Sequence, residues 1–190
     1  MKKLFTLLVI LCAVCCFFLT GCKEVDEKEL YYDATADSNR IAASCYPEEF
    51  TVECCVIFKA GFLRPYIGWD IVAIKLFNPV DNETISYTPV IYQADARTSS
   101  PGDPVSRNMS PAGVNAETWQ TITLDTPVTI EASRDYWAGY SVLTIPDVCL
   151  LAQGSQLNFG NSRIAFYGSN DFQKSHSNWL VRIIVKRPGT

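Results

Sequence analysis

Apolar and polar positions alternate along much of the chain with the period of two that marks a half-buried strand. The clearest stretch is Val52-Glu53-Cys54-Cys55-Val56-Ile57-Phe58-Lys59, where Val52, Cys54, Val56 and Phe58 share a face. Residues 71–78 continue the strand character and close at Pro79. Residues 85–93 form another strand that contains Pro89, which cannot donate to a ladder and so predicts an edge or a bulge there. Further strands are predicted over 119–124, 128–130, 136–143, 163–167 and 178–185. Residues 97–116 are rich in Ser, Pro, Gly, Asp and Asn and read as one long loop, a kind of segment that is usually functional or mobile in a compact domain. About eight short strands with turn residues between them predict an all-β fold, an antiparallel β-sandwich of jelly-roll type, whose final strand ties down the C-terminus.

The first residues follow a different pattern. Met1-Lys2-Lys3 is positive, and residues 4–19 are apolar except for Thr6, the layout of a secretory signal peptide. The run is shorter than the roughly 20 residues that a relaxed membrane-spanning helix needs. Leu19-Thr20-Gly21-Cys22 resembles the bacterial lipobox. That resemblance implies removal of residues 1–21 and acylation, of the palmitate type, on Cys22. Lys23-Glu24 and Asp26-Glu27 resemble the short export signal of Bacteroidetes outer-membrane lipoproteins, which implies a lipid anchor and display on the cell surface. Residues 22–45 are then the lipidated cysteine and a polar tether, with residues 46–190 as the sandwich.

The 190-residue length suits one domain with a substantial core. The formal net charge is −4 with Lys2 and Lys3 counted, so removal of the leader leaves a more acidic chain. Such a balance argues against nucleic acid as a partner.

Eight cysteines invite a disulfide framework, but Cys12, Cys15 and Cys16 lie in the leader and Cys22 carries the anchor. Cys45, Cys54, Cys55 and Cys149 remain, in an oxidising compartment. Neighbours on a strand point to opposite faces, so Cys54 and Cys55 are not expected to bond to each other. Cys45–Cys54 with Cys55–Cys149, or the swapped pairing, is the expected arrangement, and four reduced buried thiols are the alternative. Adjacent cysteines also lack the spacer that lets two sulfurs face one metal ion.

The residues Trp119-Gln120-Thr121-Ile122-Thr123-Leu124-Asp125-Thr126-Pro127-Val128-Thr129-Ile130, then Tyr136-Trp137-Ala138-Gly139-Tyr140, resemble a pattern of β-sandwich domains similar to the cleaved-adhesin and carbohydrate-binding jelly rolls of Bacteroidetes surface proteins. Arg64-Pro65-Tyr66-Ile67-Gly68-Trp69-Asp70-Ile71 and Asn178-Trp179 fit the same pattern. The resemblance implies fold more than function.

Catalytic chemistry has little to build on. His176 is the only histidine, in a polar run with no marked nucleophile, and reads as an exposed loop residue. The carboxylates are scattered singly through turns, so spacing selects no acid pair for glycoside hydrolysis. No cofactor is expected beyond a structural Ca²⁺, for which Asp81-Asn82-Glu83 and Asp103 offer oxygens short of a full coordination sphere. Binding has more material. Tyr66 after Pro65 and Trp69 after Gly68 are expected in an exposed turn, and with Arg64 and Asp70 they form the predicted ligand platform. Trp137 and the apolar residues around Trp179 read as core. The expected protein is therefore a lipid-anchored, adhesin-like surface module that recognises a glycan or a protein without catalysis. A small carboxylate-dependent hydrolase and a structural envelope subunit are the alternatives.

Overall fold

The computed structural model describes residues 26–32, 41–80, 83–96, 100–154, 160–169, 171–175 and 178–189. Cys22, His176, Asp81 and Asn82 lie outside them.

The fold is all-β and antiparallel. Its strands are β1 (Glu27–Leu30), β2 (Ile41–Cys45), β3 (Thr51–Phe58), β4 (Asp70–Phe77), β5 (Ile85–Asp95), β6 (Pro104–Arg107), β7 (Ala112–Val114) and β8 (Trp119–Thr129). They continue with β9 (Arg134–Leu143), β10 (Cys149–Gly154), β11 (Ser162–Phe166), β12 (Gln173–Lys174), β13 (Asn178–Trp179) and β14 (Val181–Lys186). A single helical turn, α1 (Ala60–Leu63), and a 3₁₀ turn (Arg64–Tyr66) carry the chain from β3 to β4.

One sheet has the order β1-β14-β4-β8, and the larger sheet has the order β12-β11-β3-β9-β5-β6, with β7 also paired to β5. β2, β10 and β13 form a third, smaller sheet. The main core lies between the first two sheets. Val52, Cys54, Val56 and Phe58 of β3 enter it as the alternation predicts, with Tyr136, Ala138, Tyr140 and Val142 of β9 beside them. Ile71, Ile74 and Leu76 of β4 and Val181, Ile183 and Val185 of β14 meet them from the other sheet. Tyr87 and Tyr140 pack edge to face at 4.9 Å in its centre.

The opposite face of the larger sheet carries a second apolar cluster, in which Phe172 packs edge to face on both Tyr92 and Trp137. Strands covered on both faces explain why β3 and β9 are buried almost throughout. Gly139 lies against the β3 backbone, and a Cβ there would meet the Cys54 carbonyl oxygen at 1.9 Å.

Several sequence expectations need correction. The segment expected to be a polar tether supplies β1 and β2, and β1 is paired with β14. The expected long loop contains β6 and β7, whose edges are completed by β5. The two strands expected over 119–124 and 128–130 are one strand, β8, with Pro127 inside an irregularity of its pairing with β4. Pro89 is not at a sheet edge. It pairs with Tyr140 on one side, and on the other it falls between the stretch bonded to β7 and the stretch bonded to β6. Its carbonyl accepts from Asn108 N on that side, so its missing N–H points to the gap between two partners and leaves no ladder bond unmade.

Neither expected disulfide arrangement occurs. Cys54 and Cys55 are free, fully buried thiols that face the two apolar clusters. Alternation turns them in opposite directions, and each is enclosed by side chains of its own layer. Cys149 is disulfide-bonded, and its Cα stands opposite that of Cys45 in the β2–β10 register.

Candidate functional site

Phe172 covers only part of the outer face of the larger sheet. Beyond it the face opens into a cleft of about 640 Å³. Its floor comes from outward positions of adjacent strands: Thr51 on β3, Ser141 and Leu143 on β9, and Ser86 and Thr88 on β5. Register places Glu53, Ser141 and Thr88 in one row across the three strands. Arg107, Asn108, Met109 and Pro111 form one wall, and Tyr167, in the turn after β11, forms the other.

Both walls are held from below. Glu53 is completely buried, which requires its charge to be compensated. Arg107 Nη2 lies 2.6 Å from Glu53 Oε1 and donates to the Tyr92 hydroxyl at 3.0 Å, while that hydroxyl donates to Glu53 Oε2. Burial alone would lower the Arg107 pKa, but the bond and charge of Glu53 outweigh it and the pKa is raised. Burial, then the neighbouring carboxylate, push the Tyr92 pKa up. Arg107 and Tyr92 therefore keep their ordinary protonation states across neutral pH. The Arg107 guanidinium, so fixed, lies over the Tyr167 ring at 5.1 Å. A half-exposed aromatic ring is thereby anchored through Arg107 to a carboxylate in the sheet.

The other wall is tied to β8. Asn108 Nδ2 donates to Thr123 O at 2.8 Å, its Oδ1 accepts from Asp125 N at 3.0 Å, and Asp125 Oδ2 accepts from Met109 N at 2.7 Å. Ser106 Oγ donates to Thr126 O at 2.7 Å within the irregular part of β8. Met109 stands almost fully exposed at the rim. Among the described residues no Asp or Glu lines the cleft.

A smaller cavity of about 210 Å³ lies across the β3–β11 edge, with Tyr46, Phe50 and Phe166 in edge-to-face succession and Asp171 and Gln173 on its margin.

The platform expected from sequence is elsewhere. Arg64, Tyr66, Trp69 and Asp70 are brought together before β4, with Arg64 exposed and the other three half-buried. Tyr66 and Trp69 pack edge to face at 5.4 Å and lean on the main core. Arg187 covers Trp69 at 5.1 Å, and Asp70 Oδ1 accepts from Thr129 Oγ1 at 2.6 Å. These contacts give Tyr66, Trp69 and Asp70 structural neighbours at the end of the sandwich remote from the cleft. Among the described residues no three His, Cys, Asp or Glu side chains gather as metal ligands.

Tyr167, Arg107 and Ser141 were not singled out as site residues by sequence. One signal was available, since Glu53 is a lone acid in an otherwise apolar strand segment and such an acid demands a cationic partner.

No protein-family model matches the chain. No curated protein matches it either. Among solved structures it is similar to the cysteine protease and lectin-like domains of Cwp84, a surface layer associated protein of Clostridium difficile, at 13% identity and a TM-score of 0.49. That likeness covers 86% of this chain and 36% of the other, so this chain spans little more than a third of its neighbour's length.

Proposed function

We propose that the protein is a lipid-anchored surface module that binds a neutral glycan in the cleft lined by Arg107 and Tyr167, without catalysis. The observation that carries this reading is the pairing of a hydroxyl-lined floor with an immobilised aromatic wall. Thr51, Ser86, Thr88 and Ser141 offer donors and acceptors that exchange readily with sugar hydroxyls. Tyr167 offers the ring face that Arg107 leaves uncovered to the C–H side of a pyranose ring. The volume is within the range of small-ligand clefts, about 300–1,000 Å³. Glu53 neutralises Arg107, the cation among the described lining residues, so the described lining carries no spare positive charge to select an anionic sugar. Among the described residues its lining holds no carboxylate, whereas two-acid hydrolysis needs a pair.

The lipid anchor rests on Leu19-Thr20-Gly21-Cys22. Intact mass of the membrane-extracted protein tests it through acyl mass on Cys22. A panel of neutral and acidic glycans, read by calorimetry for binding and by mass spectrometry for products, tests the cleft. Binding of neutral glycans that is lost in Tyr167→Ala supports the proposal. Released products would establish the hydrolase instead. Silence across the panel, with one stoichiometric protein partner recovered from the envelope, would establish a structural subunit.

A further inference from the structure

Strand register divides the sandwich into two poles. At one, Glu27 stands opposite Lys186, Lys186 opposite Asp70, and Asp70 opposite Thr129. Arg187 N donates to Asp26 O at 2.8 Å just beyond that row. The crossing from β3 to β4, which contains α1, lies at the same pole because it leads directly into Asp70. The cleft lies at the other pole, where Thr51 begins β3 and Leu143 ends β9. A ten-residue strand such as β9 separates the two by about 30 Å.

The first pole presents apolar side chains to solvent. Phe62 is 37% exposed and Ile67 48%, on either side of exposed Arg64. Tyr66 and Trp69 sit just beneath, half-buried, with Arg187 against Trp69. Asp135 holds the crossing in place, accepting from Ala60 N at the start of α1 and from Lys59 Nζ, both at 2.8 Å.

We infer that this pole docks on the lipid surface that holds the acyl chains of Cys22, with Phe62 and Ile67 entering the headgroup layer. The inference rests on the lipoprotein reading of Cys22. β1 begins five residues after that cysteine, and so short a segment reaches at most about 18 Å even when fully extended. The domain therefore cannot stand away from the bilayer. The pole that carries the start of β1 is the one held near it. Phe62 and Ile67 remove apolar area from water on entering the interface. Tyr66 and Trp69 are the residue types that settle at headgroup depth, and Arg64 provides a forked donor for phosphate oxygens. Asp26, Glu27, Asp70 and Glu131 near the same pole balance its cations, so apolar insertion and not charge drives the contact, and salt does not release it. In this orientation the cleft faces away from the membrane.

Hydrogen exchange on the lipidated full chain in phosphatidylcholine vesicles tests the docking, with the lipidated Ile67→Asp and Phe62→Ser chains as comparators. Amides of residues 61–68 are expected to exchange about tenfold more slowly in the wild type than in either variant, at low and high salt alike. Amides of the cleft wall, 107–111, are expected to be unchanged. Equal exchange in all three, with acyl mass present on Cys22, would overturn the docking and leave the lipoprotein reading intact. Protection that appears in isolated cell envelopes but not in vesicles would identify a protein as the occupant and also overturn it. No acyl mass on Cys22 would remove both readings together.

Discussion

Arg107 lies over the ring of Tyr167 with its guanidinium carbon 5.1 Å from the ring centroid, and the same guanidinium reaches buried Glu53 at 2.6 Å. A surface aromatic is thus positioned by a charge inside the sheet. Binding and stability are expected to separate at this pair, because Tyr167 is exposed while Glu53 is not.

Tyr167→Ala should weaken glycan binding by about thirtyfold, roughly 2 kcal/mol, as for a central aromatic contact. Thermal stability should move by no more than about 0.5 kcal/mol, since the ring is largely solvent-exposed. Calorimetric titration beside a melting curve checks both outcomes.

Arg107→Ala should cost about 3 kcal/mol of folding stability, because it leaves the Glu53 carboxylate buried without its cation. Adding Glu53→Gln should recover much of that loss, since the stranded charge is then removed. A double-mutant cycle by urea denaturation measures the coupling. Additive losses would contradict the buried-pair argument.

Trp69→Ala discriminates the two poles. The side chain packs against Tyr66, Arg187 and the core, so its loss should lower stability by about 2 kcal/mol. Affinity of the folded variant for a cleft ligand should be unchanged. A matching loss of affinity would move the ligand site to the residues before β4.

Glu29 makes an acid-sensitive contact. Burial raises its pKa, but hydrogen bonds and charge from Lys75 and Arg182, at 2.8 and 2.6 Å, hold it below the ordinary value of 4.5. A carboxylate depressed on folding adds stability above its unfolded pKa, and that stability is lost as pH falls through the folded value. Stability should therefore decline below about pH 4.5, and Glu29→Gln should be less stable at neutral pH with a shallower acid limb. Urea midpoints across pH 3 to 7 measure the slope.

Cys54 and Cys55 should resist alkylation in the native protein, because burial pushes both thiols far above their usual range. Both should react once the chain is denatured, as read by mass shift. Rapid native labelling would mean that the strands open locally.

Local periodicity alone was enough to identify β3, β4, β5, β9 and β14 as strands, and it assigned the inward face of β3 correctly. That information is local because side chains alternate across a pleat whatever lies beside it. The polar segments were harder. β1, β6 and β7 are short, and each is completed by a neighbour distant in sequence, so nothing in their own residues marks them.

What the sequence by itself determined is therefore the all-β class and the sidedness of its main strands. Its leader pattern also supplied the expectation of a membrane anchor. Only the tertiary structure decided which strands are neighbours, and with that the location of the cleft. Thr51, Thr88, Arg107, Ser141 and Tyr167 converge because β3, β9 and β5 lie side by side, with β11 and β6 outside them. A period of two says which way a side chain points, but not what stands beside it. Pairing also placed Arg64, Tyr66, Trp69 and Asp70 at the pole where β1 begins, because β14 joins that strand to β4.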